Sequence, residues 1–393
     1  MSKKHYTATP GKTKRKSERT PSTISGASYS RQQSPHGFIG GWRTLWLALI
    51  VVLPGIVILF ALTTNGIIQR NQTSAVPPAT SSTIHSPASV QAASIHMYKV
   101  SPSDAGLMLP VVDQHGNVWF GEMASNHLAR LDTHTGTVTT WTPPHGEEGI
   151  MGITIDARGN IWFVEQNANY IGRFDPARQA FRVFSFGSNK SQRVGLEDLQ
   201  FDTSGKLWFT ETVAGRIGNL DPASGKIETW ALPAAPAGTQ FYVFGLAITP
   251  NGQVWFGTFS GGVVGHLDPT TGHMQLYHLG NPGEQIYSMA ADTQGRVWFT
   301  DLQFGKLGMI DTSSGKITEL QVPSTLGNPE DLHSIVVANG AIWFTSSGAN
   351  ALIRYSPDDG SYTFFQLPAP NSIPFGLALA STNTLWFTAG GNP

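Results

Sequence analysis

The sequence of 393 residues contains no cysteine. This excludes disulfides, thiolate metal sites, iron–sulfur clusters and cysteine nucleophiles. Charged residues make up only 13% of the chain, while the 43 glycines and 25 prolines disfavour an architecture of long soluble helices. The chain also lacks a P-loop, a His-Glu-x-x-His motif and a Gly-x-Ser-x-Gly motif, which excludes the enzyme classes built on them.

The N-terminal part carries most of the positive charge. Residues 1–43 hold nine Lys or Arg and one acidic residue, show no apolar periodicity, and are predicted to form a disordered tail. Residues 44–64 contain no charge and are long enough to span a bilayer core as one transmembrane helix. A cleaved signal peptide is the competing interpretation, but its apolar region is usually only 7–15 residues long.

The positions of these charges predict an orientation. The basic flank is N-terminal, so the positive-inside rule places the tail in the cytoplasm and the rest of the chain outside the cell membrane. Residues 65–94 are mostly Ser, Thr, Ala and Pro and are predicted to form a flexible linker. The remaining chain is acidic overall, which argues against a nucleic-acid partner.

Residues 95–393 consist of a series of sequence repeats. The dipeptide Trp-Phe occurs seven times, with first residues at 119, 162, 208, 255, 298, 343 and 386. A period of about 43–47 residues with alternating apolar and polar positions is typical of a β-propeller. The repeat at 198–232 predicts strands at 198–201, 206–211, 216–221 and 226–232, joined by Asp-containing turns. The sequence therefore predicts an all-β fold, a seven-bladed β-propeller with four strands per blade.

Closure of this ring is predicted to involve both ends of the repeat region. The seventh repeat contains strands at 375–380 and 384–389. The segment Ile-His-Met-Tyr-Lys-Val at 95–100 has the pattern of an outermost strand, so we expect it to complete blade seven. The Trp-Phe pairs themselves are interpreted as wedges between blades rather than as a ligand site.

Segments such as GNIWFVEQNANYIGRFDP (159–176) and GKLWFTETVAGRIGNLDPASGKIETWALP (205–233) resemble the streptogramin B lyase (virginiamycin B lyase) family. The resemblance covers 95–393. It implies elimination at the ester of a cyclic depsipeptide, with a magnesium ion at the mouth of the central channel. It also implies two functional histidines on the inner strands of the last two blades, with acidic metal ligands near the second.

These positions are only partly kept. His333 stands at the first family histidine and is the catalytic candidate. Phe375 stands at the second histidine, Ile373 at the carboxylate two residues before it, and no acid follows Trp386-Phe387. The resemblance therefore implies a magnesium cofactor whose matching ligands this sequence lacks, and we predict no metal site.

The residue eleven positions before each Trp is predicted to lie at the start of an innermost strand, near the channel mouth. Met151 and the substrate-binding candidates Glu197, Phe244, Tyr287 and Phe375 occupy this position, with His333 equivalent after one deletion. A second ring, three residues after each Trp, is interpreted as scaffold; it contains Glu122, Glu165, Thr258, Glu211, Asp301, Ser346 and Ala389.

Two functions follow from these observations. One is a membrane-anchored extracytoplasmic enzyme, a carbon–oxygen lyase or an esterase-like enzyme, that acts on a small cyclic or lactone-bearing molecule. The other is a non-catalytic module that binds a peptide, glycan or protein at the channel mouth. Composition does not separate them, and we expect a monomer in either case.

Overall fold

The computed structural model describes residues 52–53, 56–57, 87–100, 105–144, 149–166, 168–185, 193–236, 239–380 and 384–390. The predicted tail at 1–43 lies outside these residues, as do most of the anchor at 44–64 and the linker up to residue 86. Within the anchor segment, β1 (Val52–Leu53) pairs antiparallel with β2 (Ile56–Val57). No helix capable of crossing a bilayer occurs among the residues that the structure describes.

The rest of the described chain forms a β-propeller, which confirms the predicted fold class. Each blade is built from antiparallel strands that run in chain order from the propeller axis outwards, and blade six gains one further strand at its outer edge. Blade one comprises β4 (Leu107–Val112), β5 (Val118–Glu122), β6 (His127–Leu131) and β7 (Val138–Trp141). Blade two comprises β8 (Ile150–Ile155), β9 (Ile161–Glu165), β10 (Tyr170–Asp175) and β11 (Ala180–Ser185). Blade three comprises β12 (Leu196–Phe201), β13 (Leu207–Glu211), β14 (Arg216–Leu220) and β15 (Ile227–Ala231).

The later blades continue the same order. Blade four comprises β16 (Val243–Ile248), β17 (Val254–Thr258), β18 (Val263–Leu267) and β19 (Met274–His278). Blade five comprises β20 (Ile286–Ala291), β21 (Arg296–Asp301), β22 (Lys306–Asp311) and β23 (Lys316–Gln321). Blade six comprises β24 (Leu332–Ala338), β25 (Ala341–Ser346), β26 (Ala351–Ser356) and β27 (Ser361–Gln366). In the described part of the chain, blade seven contains β28 (Pro374–Leu379) and β29 (Leu385–Ala389).

The blade count therefore differs from the prediction. The sequence predicts seven four-stranded blades, but the described residues form six, and the seventh sheet stops at two strands. Residues 95–100 have no strand structure, so the prediction that they form the outer strand of blade seven is wrong. A strand needs a neighbouring edge, and no third strand of blade seven is described that could offer one.

The N-terminal segment instead joins blade six. Strand β3 (Ala88–Val90) pairs in parallel with β27 and makes blade six five-stranded. Backbone hydrogen bonds from Tyr362 to Pro87 and from Gln91 to Phe364 flank the pairing. Residues 87–91, placed in the linker by the sequence, thus belong to the propeller.

A repeated hydrogen bond accompanies the burial of the Trp in four of the seven repeats. In four blades an Asp six residues before the Trp caps the turn after the innermost strand and accepts a bond from the indole nitrogen. These pairs are Asp113–Trp119, Asp156–Trp162, Asp202–Trp208 and Asp292–Trp298, at 2.8–2.9 Å. The adjacent Phe packs over a small residue of the third strand: a Cβ on Gly308 would lie 2.0 Å from the Phe299 ring. Both aromatics are therefore structural.

Candidate functional site

A β-bulge interrupts the innermost strand of every blade at the same place. In blade three, for example, Leu196 pairs with Glu211 and Leu199 with Phe209, which leaves two residues opposite one. The first residues of these seven bulges are Met108, Met151, Glu197, Phe244, Tyr287, His333 and Phe375. The structure thus places all the candidate site residues in one ring, together with Met108, which sequence reasoning missed.

Bulges redirect side chains, and threonines after the Trp-Phe pairs fix them here. Thr300 Oγ1 accepts a bond from the Ser288 backbone N–H and donates one to the carbonyl of His333, at 3.2 and 2.7 Å. Thr345 repeats this between Ser334 and Phe375, at 3.1 and 2.8 Å. One hydroxyl therefore ties the bulge of its own blade to the bulge residue of the next. The Trp-Phe-Thr triplet was the available sequence signal for this role.

The ring of innermost strands closes because small residues let neighbouring strands approach. A Cβ on Gly376 of blade seven would lie 2.4 Å from Pro110 of blade one, and one on Gly152 would lie 2.4 Å from the carbonyl oxygen of Glu197. Each innermost strand contacts the next, including β28 with β4. The bulge residues therefore surround the propeller axis.

Aromatic side chains from blades four to seven meet at this level. The Tyr287 ring lies 4.8 Å from Phe244, 5.2 Å from His333 and 5.7 Å from Phe375, measured between ring centroids. His333 and Phe375 are 4.7 Å apart. Because Phe244, Tyr287, His333 and Phe375 come from consecutive blades, this aromatic cluster spans blades four to seven.

Two further groups of side chains extend the cluster. Phe259, which the sequence did not single out, lies 5.1 Å from Phe244 and 6.3 Å from Tyr287. Phe375 also packs against the apolar core that contains Met108 and Met151. The side chains of Phe244, Tyr287, His333 and Phe375 are half-buried, so they retain an accessible apolar surface. Such a surface suits a ligand with rings of its own.

Glu197 is the one bulge residue of the ring that carries a carboxyl group, and it is buried. Gln166 of blade two donates a hydrogen bond to its Oε1, while its Oε2 has no partner among the described residues. Burial above all, and also the nearby Asp198, raises the pKa of Glu197 to about 8, against the weaker effect of the Gln166 bond. The carboxyl group is therefore largely protonated and neutral at pH 7.

His333 is also uncharged at neutral pH. Burial lowers the pKa of its imidazole to about 4. Its Nδ1 has no hydrogen-bond partner within the described part of the chain. Burial, followed by the charges of Glu197 and Asp198, raises the pKa of Tyr287 well above its usual value. At pH 7 the site thus combines an aromatic surface with the neutral side chains of Glu197 and His333.

Six of the seven residues of the second ring, all except Ala389, are buried. They lie beside the first residues of the innermost strands, where Glu122 pairs with Leu107 and Asp301 with Ile286. Glu122 accepts bonds from Ser125 and His127, at 2.5 and 3.1 Å, and Glu211 bonds Arg216. Asp301 accepts bonds from backbone N–H groups, including that of Gln285 at 3.0 Å. These contacts agree with the scaffold interpretation.

The chain is similar in structure to several proteins of known activity. Solved structures of a streptogramin B lyase and of virginiamycin B lyase from Staphylococcus aureus are similar to the chain, at 25% and 24% identity and TM-scores of 0.67 and 0.65. They cover 75% and 73% of this chain, and 93% and 92% of their own.

A catalytically inactive His-to-Ala variant of the Staphylococcus aureus enzyme, with quinupristin, matches at 24% identity and a TM-score of 0.66, over 74% of this chain and 94% of its own. No curated protein matches the sequence. The model of the virginiamycin B lyase family matches residues 83–338 and 188–392, which together cover most of the chain. The chain therefore belongs to the virginiamycin B lyase family.

Proposed function

We propose that the chain is a membrane-anchored extracytoplasmic propeller that binds a small ring-bearing molecule, such as a cyclic depsipeptide, at the aromatic cluster and leaves its ester intact. The observation that supports binding is the contact among Phe244, Tyr287, His333 and Phe375, which joins blades four to seven. The neutral Glu197 and Gln166 beside the cluster offer hydrogen bonds to an amide or ester without the cost of an unpaired charge.

The residues present do not fit the magnesium ion of the family. Phe375 and Ile373 stand at family positions for a histidine and a carboxylate, and the residues after Phe387 are Thr388, Ala389 and Gly390. Mg²⁺ requires oxygen ligands, and these side chains supply no carboxylate. The described residues contain no group of three His, Asp or Glu placed to hold a metal. No step of this proposal therefore uses magnesium.

A second candidate is catalysis by His333 alone. Its neutral imidazole and free Nδ1 favour a general base that removes a carbon-bound proton next to a carbonyl. A pKa of about 4 makes it a weak base at pH 7, because a general base works best with a pKa near the operating pH. Binding without elimination is therefore the first candidate.

The anchor and its orientation are further parts of the proposal. They rest on the uncharged segment 44–64 and on the basic residues before it. Protease added to intact cells should remove the propeller and spare the tail. Digestion of the tail with protection of the propeller would contradict the orientation.

The binding and catalytic candidates are separated by incubating the full-length protein, in mild detergent, with a streptogramin B. Elimination leaves the mass unchanged, so retention time and fragmentation report ring opening. We expect binding and an intact ring, with and without magnesium. Ring opening that requires magnesium would refute the proposal. Magnesium-independent ring opening that His333→Ala abolishes would establish the second candidate instead.

Variants locate the binding surface. Phe375→Ala and Tyr287→Ala should each weaken binding about tenfold or more, a loss of about 1.4 kcal/mol. Phe365→Ala is the matched control, because Phe365 is a half-buried aromatic stacked on Trp343 in the outer part of blade six. Equal effects of all three changes would refute the aromatic cluster as the site.

A stability measurement tests the metal separately. A ligand that binds only the native state stabilises it by about 2.7 kcal/mol at a hundredfold excess over Kd. Millimolar magnesium should nevertheless leave the thermal midpoint unchanged. A clear magnesium-dependent rise in the thermal midpoint would show that other carboxylates hold the ion. Glu197 would then be the first residue to substitute.

A further inference from the structure

Gln166 and Glu197 occupy positions that recur in every blade. Gln166 is the fourth residue after the Trp of its Trp-Phe pair, at the end of blade two, and Glu197 is the bulge residue of blade three. The residues of the other blades that correspond to Gln166 are Met123, Thr212, Phe259, Leu302, Ser347 and Gly390. Four of these have no N–H or O–H group in the side chain, and the hydroxyls of Thr212 and Ser347 donate to backbone carbonyls of the next blade. Among these seven described residues, Gln166 is therefore the one that hydrogen-bonds the bulge side chain of the next blade.

This pair leaves two buried polar atoms without a partner in the described part of the chain. Gln166 and Glu197 are 7% and 5% exposed, and the Gln166 amide donates to Glu197 Oε1. Gln166 Oε1 and Glu197 Oε2 have no hydrogen-bond partner there. The neighbouring Asp198 differs, because backbone N–H groups of Leu199 and Leu246 bond its two carboxyl oxygens at 2.8 and 3.0 Å. Buried polar groups are normally paired, so the two free atoms indicate that a ligand pairs with them.

The two free atoms differ in the hydrogen bond that each can form. An amide oxygen only accepts, so Gln166 Oε1 requires a donor. Glu197 is largely neutral at pH 7 and its Oε1 accepts the bond from Gln166, so the proton lies on Oε2, which then donates. A residue of an extended peptide presents the complementary pair, because its N–H and C=O point to the same side of the chain. An ester presents the carbonyl oxygen without the N–H.

We propose that Gln166 and Glu197 bind the backbone of one peptide residue of the ligand, with Gln166 Oε1 accepting from its N–H and Glu197 Oε2 donating to its C=O. This inference rests on the proposed function, in which the aromatic cluster holds a ring of the same ligand. Glu197 is the bulge residue next to Phe244 in the order of the blades, so the pair lies beside that cluster. The ligand class is therefore a peptide or depsipeptide with an aromatic residue whose own N–H is free.

Two probes that differ in one group test this selection. N-acetyl-L-phenylalanine N-methylamide carries the aromatic ring, the N–H and the C=O of one residue. O-acetyl-L-phenyllactic acid N-methylamide has an ester oxygen in place of that N–H and is otherwise the same. Ligand-observed NMR titrations of the full-length protein in mild detergent measure both affinities. We expect the peptide probe to bind at least about tenfold more tightly than the ester probe, because the ester leaves Gln166 Oε1 unpaired.

Variants assign the two hydrogen bonds. Gln166→Ala should weaken the peptide probe about tenfold and leave the ester probe unchanged, which abolishes the preference. Glu197→Ala should weaken both probes, because both keep the carbonyl. Glu197→Gln should keep the binding and the preference, since its amide can donate to the carbonyl and accept from Gln166. Ser347→Ala is the matched control, because Ser347 holds the position of Gln166 in blade six and bonds only the backbone there; it should keep the preference.

Three results would overturn the inference: equal affinities of the two probes for the unmodified protein, binding of neither probe, or loss of both probes in Glu197→Gln. The proposed function has a separate readout, because Phe375→Ala removes a part of the aromatic cluster that both probes share. Equal affinities for the unmodified protein, with loss of both probes in Phe375→Ala, would refute the role of the pair and support the aromatic site. A preference for the peptide probe with no effect of Phe375→Ala would support the pair and refute the aromatic site.

Discussion

Blades five and seven carry the same Trp-Phe-Thr motif in different surroundings. In blade five, Val297, Trp298 and Phe299 are at most 2% exposed, and Asp292 accepts the Trp298 indole bond at 2.9 Å. In blade seven the corresponding Leu385, Trp386 and Phe387 are only half-buried. Ala380 stands at the position of the Asp.

The comparison separates the formation of the strand and its bulge from the burial of the motif. The motif produces the same strand and the same bulge in both blades, since both depend on short-range pairing with the preceding strand. Burial of the motif depends on the third and fourth strands, which blade five has and the described part of blade seven lacks. Equal sequences should therefore contribute unequally to stability, and four predictions test this.

The largest difference is expected for the tryptophans. Trp298→Ala should reduce the free energy of unfolding by about 3–5 kcal/mol, because it empties a packed site. Trp386→Ala should cost about 1–2 kcal/mol, since the side chain is half-exposed before the change. Chemical denaturation of the full-length protein in mild detergent measures both. Equal losses would mean that blade seven is as well covered as blade five.

The glycines give the next largest contrast. In Gly308→Ala the new Cβ would lie 2.0 Å from the ring of Phe299, which is buried and has no room to move. We expect a loss of about 1–3 kcal/mol. Gly390→Ala, with nothing within 4 Å of its Cβ position, should change stability by less than about 0.5 kcal/mol. A large loss in Gly390→Ala would reveal a neighbour at this end of blade seven.

The sequence predicted what depends on local pattern and missed what depends on contacts between blades. The strands of the repeat at 198–232 and the shared position of Glu197, Tyr287 and Phe375 follow from alternation and spacing. The bond of Gln166 to Glu197 joins two blades and has no periodic signal. The outer-strand prediction for 95–100 failed because a strand needs a neighbouring strand edge to pair with. Ala88–Val90 has such an edge, since it pairs with the outermost strand of blade six.

A smaller effect is expected from the aspartate that blade seven lacks. Burial alone would raise the pKa of Asp292, but hydrogen bonds from Trp298 and from the backbone and side chain of Arg296 outweigh it and hold the pKa below its usual value. The stability that this ionised group contributes is present above its unfolded pKa, about 3.9, and is lost as the pH falls through the lower folded value.

Asp292→Asn should therefore cost about 1–2 kcal/mol at pH 7, with a smaller cost as the solution is acidified below pH 4. Thermal midpoints between pH 3 and pH 7 check both the size and the sign. The reverse pattern, a cost that grows in acid, would contradict the lowered pKa.

The smallest effect concerns the backbone next to Phe375. Ile373 has φ of +49° and is 46% exposed, whereas Gly149 and Gly195 fill the same position in blades two and three with φ of +73° and +67°. A left-handed backbone costs an L-residue about 1–2 kcal/mol, most of all a β-branched one before a proline. Ile373→Gly should relieve this strain but lose about 0.5–1 kcal/mol to the greater freedom of glycine in the unfolded chain, for a net gain of about 0.5–1 kcal/mol. Ile373→Asn, which tolerates this backbone, should also stabilise, and Gly149→Ile in blade two should destabilise. A loss of stability in both Ile373 variants would show that the side chain has a packing partner that outweighs its strained backbone.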